Sequence, residues 1–193
     1  MLKPKRRKSQ TRILAVLSVI SVMLLLAGCG MSSVSRPPDY DKALRGAPDP
    51  LAALYSQANE LLPGGEPAFA QRLEALRGYP VVVNVWAAWC GECRIELPMF
   101  QRVSARLGKR VAFFGIDSFD DRDAAATLLS EAPLPYPSYS DPSQGLAESL
   151  GPFGLPATAF FNREGELTFF KRGSYRKDED LEADIERYSM GNA

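Results

Sequence analysis

Residues 81–94 read VVVNVWAAWCGECR. Val81 to Trp86 are apolar nearly throughout, as a strand buried on both faces should be. From Cys90 to about Leu107 the pattern changes to that of a helix, with Leu97, Phe100, Val103 and Leu107 on its inward side. Pro98 should kink that helix, because it removes the bond to the carbonyl of Arg94. A Cys-x-x-Cys pair thus falls where a buried strand gives way to a helix. Two intervening residues let both sulfurs lie on the first helical turn, close enough to bond. Cys90 occupies the helix N-terminus, where free N–H groups and the dipole favour a thiolate. It reads as the exposed, attacking sulfur. Cys93, deeper in the helix, reads as the resolving sulfur that displaces a substrate from a mixed disulfide.

The same spacing occurs in half of a zinc site and in inert, packed disulfides. A zinc site needs four ligands, and this chain has no histidine and only three cysteines, Cys29, Cys90 and Cys93. The absence of histidine also excludes Ser–His–Asp and Cys–His catalysis. The strand-to-helix position and the preceding Trp89 argue for an exposed pair over an inert one. No metal and no cofactor is implied.

The rest of the body alternates between the two periodicities. Leu51, Leu54, Tyr55, Ala58 and Leu62 form one helical stripe, stopped by Pro63-Gly64-Gly65, and Phe69, Leu73 and Leu76 form a second. Val111 to Asp117 reads as another buried strand, Asp123 to Glu131 as a helix, and Pro133 to Pro137 as a break. A short helix is expected at Gln144 to Leu150. Strands at Ala157 to Phe161 and Leu167 to Lys171 should form a hairpin across Asn162 to Glu166. Asp178 should cap a last helix that turns Leu181, Ile185 and Tyr188 inward. Strand–helix–strand followed by a hairpin and a closing helix predicts an α/β fold, a three-layer sandwich with a mixed central sheet. Residues 51–78 are its helical N-terminal extension and residues 79–189 its main domain.

Ahead of the body lies an address. Six basic residues (Lys3, Lys5, Arg6, Arg7, Lys8, Arg12) precede an uncharged run of 15 residues from Ile13 to Ala27. That run is short for a membrane-spanning helix, which needs about 20 residues, and suits a signal peptide. Leu26-Ala27-Gly28-Cys29 resembles the bacterial lipobox, which implies cleavage after residue 28 and lipidation of Cys29. The alternative is an uncleaved anchor with an incidental cysteine. Residues 29–50, rich in Ser, Pro, Gly and charge, read as a flexible tether. Taking the six leader bases from the total of 23 leaves 17 against 23 acids, a net charge of −6. Such a body carries no electrostatic footprint for nucleic acid.

Several segments resemble the TlpA-like thioredoxins, the family of ResA-like and cytochrome-maturation thiol–disulfide oxidoreductases. Residues 81–94 look like their active-site segment, and Arg94-Ile-Glu-Leu-Pro98 like its continuation. Tyr136 to Asp141, then Gly154-Leu-Pro-Ala-Thr158 and Ala159 to Gly165, look like the middle, cis-proline and hairpin segments. The resemblance covers about residues 79–176 and implies a thioredoxin-like domain. It assigns Pro156 as a cis-proline facing the disulfide, the alternative being a trans proline opening a strand. It sets Leu155 to pair with an extended substrate, Trp89 on the substrate-binding face, and Glu96 as acceptor of the Cys93 proton. An ordinary solvated glutamate is the alternative for Glu96. Asn84 stands where ordinary thioredoxins have a buried acid. The family often carries a β-hairpin before the active-site strand, whereas residues 51–77 here read as helices.

The resemblance implies an extracytoplasmic, lipid-anchored enzyme exchanging disulfides with exported proteins and served by a membrane redox partner. A redox-inactive binding module of the same fold is the other class. Gly91-Glu92 between the cysteines predicts a reductant, since an ionised glutamate disfavours a neighbouring thiolate. The potential is expected nearer the roughly −270 mV of thioredoxin than the roughly −120 mV of DsbA.

Overall fold

The computed structural model describes residues 37–152 and 154–191. The expected signal peptide, the expected lipidation site Cys29 and the first part of the expected tether lie outside them. Residues 37–191 fall within one compact unit.

Six strands form one sheet: β1 (Leu61–Leu62), β2 (Val81–Trp86), β3 (Ala112–Ser118), β4 (Ser138–Asp141), β5 (Ala157–Phe161) and β6 (Leu167–Arg172). Their order is β1-β4-β3-β2-β5-β6. The four strands on the β1 side are parallel, while β5 runs antiparallel to its neighbours β2 and β6, which makes the sheet mixed. The helices are α1 (Tyr40–Leu44), α2 (Asp49–Tyr55), α3 (Gly65–Ala75), α4 (Gly91–Leu107), α5 (Arg122–Glu131), α6 (Gly145–Leu150) and α7 (Asp178–Asp184), the last continued by a π-helical turn at Ile185–Met190.

Strand alternation sorts the core into two halves. Phe114 of β3 and Phe161 of β5 pack on Phe69 of α3. On the opposite face Asn84 of β2 meets Glu96 of α4, and Phe160 of β5 packs on Tyr188 after α7. Helices α4 and α7 therefore cover one face of the sheet and α3 the other, giving the three layers expected. Every residue of β2 and β3 is buried, the reason both read as nearly continuous apolar runs. Pro98 lies inside α4, which continues past it to Leu107.

Several expectations need correction. Residues 37–50 are not all tether. They hold α1 and the start of α2, and the Tyr40 hydroxyl donates to the Pro133 carbonyl while Leu44 packs on the core. The helix expected to reach Leu62 stops at Tyr55. Asn59 turns the chain there in a left-handed conformation (φ 63°), its side chain donating to the Leu129 carbonyl and accepting from the Leu134 N–H. Leu61 and Leu62 then pair with Ser138 and Tyr139, so the N-terminal extension supplies an edge strand. Asp178 is not a cap. Lys177 holds that position without a side-chain bond, and Asp178 instead receives Arg102 and Arg106 from α4.

Candidate active site

The strand-to-helix junction has the geometry its spacing demands. Cys90 is the N-cap of α4, in extended conformation, and its sulfur accepts the Cys93 N–H at 3.1 Å. Cys90 and Cys93 form a disulfide with Cα atoms 5.3 Å apart. Cys90 is 6% exposed and Cys93 fully buried, so Cys90 is the more accessible residue of the pair. Trp89 is 58% exposed beside it. Its indole N–H donates to the Phe119 carbonyl at 2.7 Å, and its ring meets the Phe119 ring edge-on. Phe119 is itself 54% exposed and held at φ 55°.

The Leu155–Pro156 peptide bond is cis. Because β5 runs antiparallel to β2, with Ala157 opposite Val85, Pro156 lies at the end of the sheet from which β2 leads into Cys90. Leu155 is half-buried at the same end.

Glu96 is fully buried, one turn beyond Cys93 on α4. One carboxylate oxygen accepts from Asn84 Nδ2 at 2.9 Å and the other from the Tyr175 backbone N–H at 3.0 Å. Burial pushes its pKa up to about 7, opposed by those two hydrogen bonds and by the charge of Lys171. A carboxylate with that proton affinity can hold or release a proton near neutrality, in a chain without histidine. The solvated reading of Glu96 is thereby excluded.

A match to the AhpC/TSA family covers residues 67–170, just over half of the chain, and includes Cys90, Cys93, Glu96 and Pro156. The DsbE thiol:disulfide interchange protein of Escherichia coli (strain K12) is 34% identical over 157 residues, 79% of this chain and 80% of its own. The chain belongs to the AhpC/TSA family. Within it, the chain stands among the DsbE-like thiol:disulfide interchange proteins. DsbE of Pseudomonas fluorescens biotype C is 40% identical over 93 residues; that match takes in 48% of this chain and about half (51%) of the relative. Among solved structures, MTB DsbF, seen in mixed oxidised and reduced forms, superposes with a TM-score of 0.55 at 26% identity. The superposition covers 59% of this chain and 84% of that one. The sandwich described above is thus the thioredoxin-like fold.

This DsbE-like site also contains residues the sequence did not reveal. Glu92, read as a lone charge between the cysteines, accepts from the Ser174 hydroxyl at 2.9 Å and forms an ion pair with Arg176. Asp120 accepts the Ala88 N–H and so holds the turn that carries Trp89. Asp117 is buried at the end of β3, opposite Trp86. Burial first, then a hydrogen bond to Asp120 and the charges of Asp120 and Asp141, raise its pKa to about 8. An acid closing an otherwise apolar strand was the available signal for Asp117. Ser174, Tyr175 and Arg176 had none, because they reach α4 across roughly eighty residues of chain.

Proposed function

We propose that this chain is an extracytoplasmic protein-disulfide reductase, held to the membrane by lipid on Cys29. The observation that carries the chemistry is the Cys90–Cys93 pair at the N-terminus of α4, with buried Glu96 one turn further on. In the reduced enzyme the Cys90 thiolate attacks a client disulfide. One client sulfur leaves as thiolate and the other is bonded to Cys90. Cys93 then attacks the Cys90 sulfur, re-forming the internal disulfide and releasing the second client sulfur. Two electrons pass to the client. Cys93 attacks as a thiolate, so its proton needs an acceptor, and buried Glu96, one turn further along α4, takes that role.

The exposed Trp89–Phe119 pair and the edge at Leu155 and Pro156 would receive the client chain. Exported proteins with paired cysteines are the client class, apocytochrome c among them, as the TlpA-like resemblance implies. A membrane electron carrier would return the enzyme to its dithiol form. Attachment would come through Cys29, as the Leu26-Ala27-Gly28-Cys29 run suggests. No helix among the described residues is long and apolar enough to cross a membrane.

Purified protein should catalyse insulin reduction by dithiothreitol, and a Cys90→Ser variant should not. Equal rates with and without wild-type protein would leave only the binding-module reading. Mature protein from membranes should begin at Cys29 and carry a diacylglyceryl mass; an unprocessed, unmodified N-terminus would refute the anchor.

A further inference from the structure

The segment between β6 and α7 touches both acids near the disulfide, one residue after another. The Ser174 hydroxyl donates to Glu92 at 2.9 Å. The Tyr175 N–H donates to Glu96 at 3.0 Å. The Arg176 guanidinium pairs with Glu92. Both ends of the segment are tied down. Gly173 N–H donates to the Pro156 carbonyl at 2.8 Å, and Asp178 is held by Arg102 and Arg106 of α4.

Glu92 lies in the first turn of α4, between the two cysteines. There a carboxylate competes with the Cys90 thiolate for the positive end of the helix and repels it. The other charged groups nearby are otherwise engaged. Arg94 pairs with Glu131, and Lys171 stands over the Tyr175 ring at 4.2 Å. Arg176 is therefore the cation placed to offset Glu92.

We propose that Arg176 is a positioning residue that sets the redox potential of the Cys90–Cys93 pair by neutralising Glu92. The proposal rests on the oxidoreductase reading and adds to it a residue outside the Cys-x-x-Cys motif. It also alters the charge argument for a reductant, since the glutamate between the cysteines does not act on the thiolate alone. The sign follows from the reduced state. Anything that stabilises the Cys90 thiolate favours the dithiol form and makes the pair more oxidising. Arg176 raises the potential through Glu92, and its loss lowers it.

The test is a double-mutant cycle read by equilibration with glutathione at neutral pH and low salt. Both partners are about half exposed, so the expected effect is modest, about two- to fivefold in the thiol–disulfide equilibrium constant. That corresponds to roughly 10–20 mV for a two-electron couple. Arg176→Met should favour the disulfide by that factor and raise the Cys90 pKa. Glu92→Gln should favour the dithiol and lower it. The double variant should stay close to Glu92→Gln, because Arg176 has no charge left to offset there, and Arg176→Lys should preserve the wild-type value. The shift should shrink in about 0.5 M salt. The same change from Arg176→Met in the Glu92→Gln background, or no change in either background, overturns the assignment of Arg176. A wild-type disulfide that never equilibrates with glutathione sinks the oxidoreductase reading instead.

Discussion

Glu96 combines full burial with two hydrogen bonds that favour its charged form. Burial wins, and the pKa rises from 4.5 to about 7. The consequence for stability has a definite sign. Below the ordinary carboxylate range Glu96 is protonated in both folded and unfolded chains and costs nothing. As pH rises, the unfolded chain ionises first, so folding stability falls until the folded pKa is passed and is level above it. The shift corresponds to about 3 kcal/mol. Glutamine does not titrate. In the oxidised protein, Glu96→Gln should therefore gain about 3 kcal/mol on wild type between pH 4.5 and 7.5, measured by urea unfolding. Other titrating groups, Asp117 included, are common to both chains and cancel. Parallel stability curves would show that Glu96 has an ordinary proton affinity. The same substitution should slow disulfide exchange and flatten its pH profile near neutrality, since it removes the proposed acceptor of the Cys93 proton.

Strands β2, β3 and β4 form the floor beneath the site, and their fit depends on Gly115. A methyl group there would lie 2.8 Å from Trp86 Nε1 and press on Ser138, whose hydroxyl accepts that indole N–H at 3.2 Å. Gly115→Ala should cost about 1–3 kcal/mol in denaturant unfolding, as overpacking of a dense core does. An unchanged midpoint would mean that the two side chains move apart freely. Elements whose residues are buried by rule were legible in the sequence. β2, β3 and α4 announce themselves by continuous or helical apolar spacing, and Cys90 and Cys93 by their place at the junction. The rest was hidden because it depends on contacts far away in the chain. β1 has only two residues, which cannot show a period, and β4 is short, polar and preceded by prolines. Its Ser138 is specified by pairing with β1 and by Trp86. Asn59 stops α2 with bonds to residues 129 and 134, and Asp178 serves two arginines of α4 instead of its own helix. Glu96 was legible as a candidate from its spacing after Cys93, but its burial depends on Asn84 and Tyr175, neither of which is near it in sequence.

Across the molecule, the pieces of the site come from every part of the sheet and meet at one end. β2 leads into Cys90, β3 carries Asp117 near its end, β5 begins just after Pro156, and the segment after β6 closes over α4. Charge divides along the chain, with six bases in the first 28 residues and a net −6 in the remainder. The Trp89–Phe119 pair are the only large exposed aromatics among the described residues. The central claim is that Cys90 attacks clients and Cys93 resolves the mixed disulfide. Trapping tests it most directly. In cells producing the full-length Cys93→Ser variant, Cys90 should remain bonded to exported proteins in complexes that dithiothreitol dissolves and mass spectrometry names, and the Cys90→Ser variant should yield none. Equal capture by Cys90→Ser, or capture by neither variant, would contradict the account.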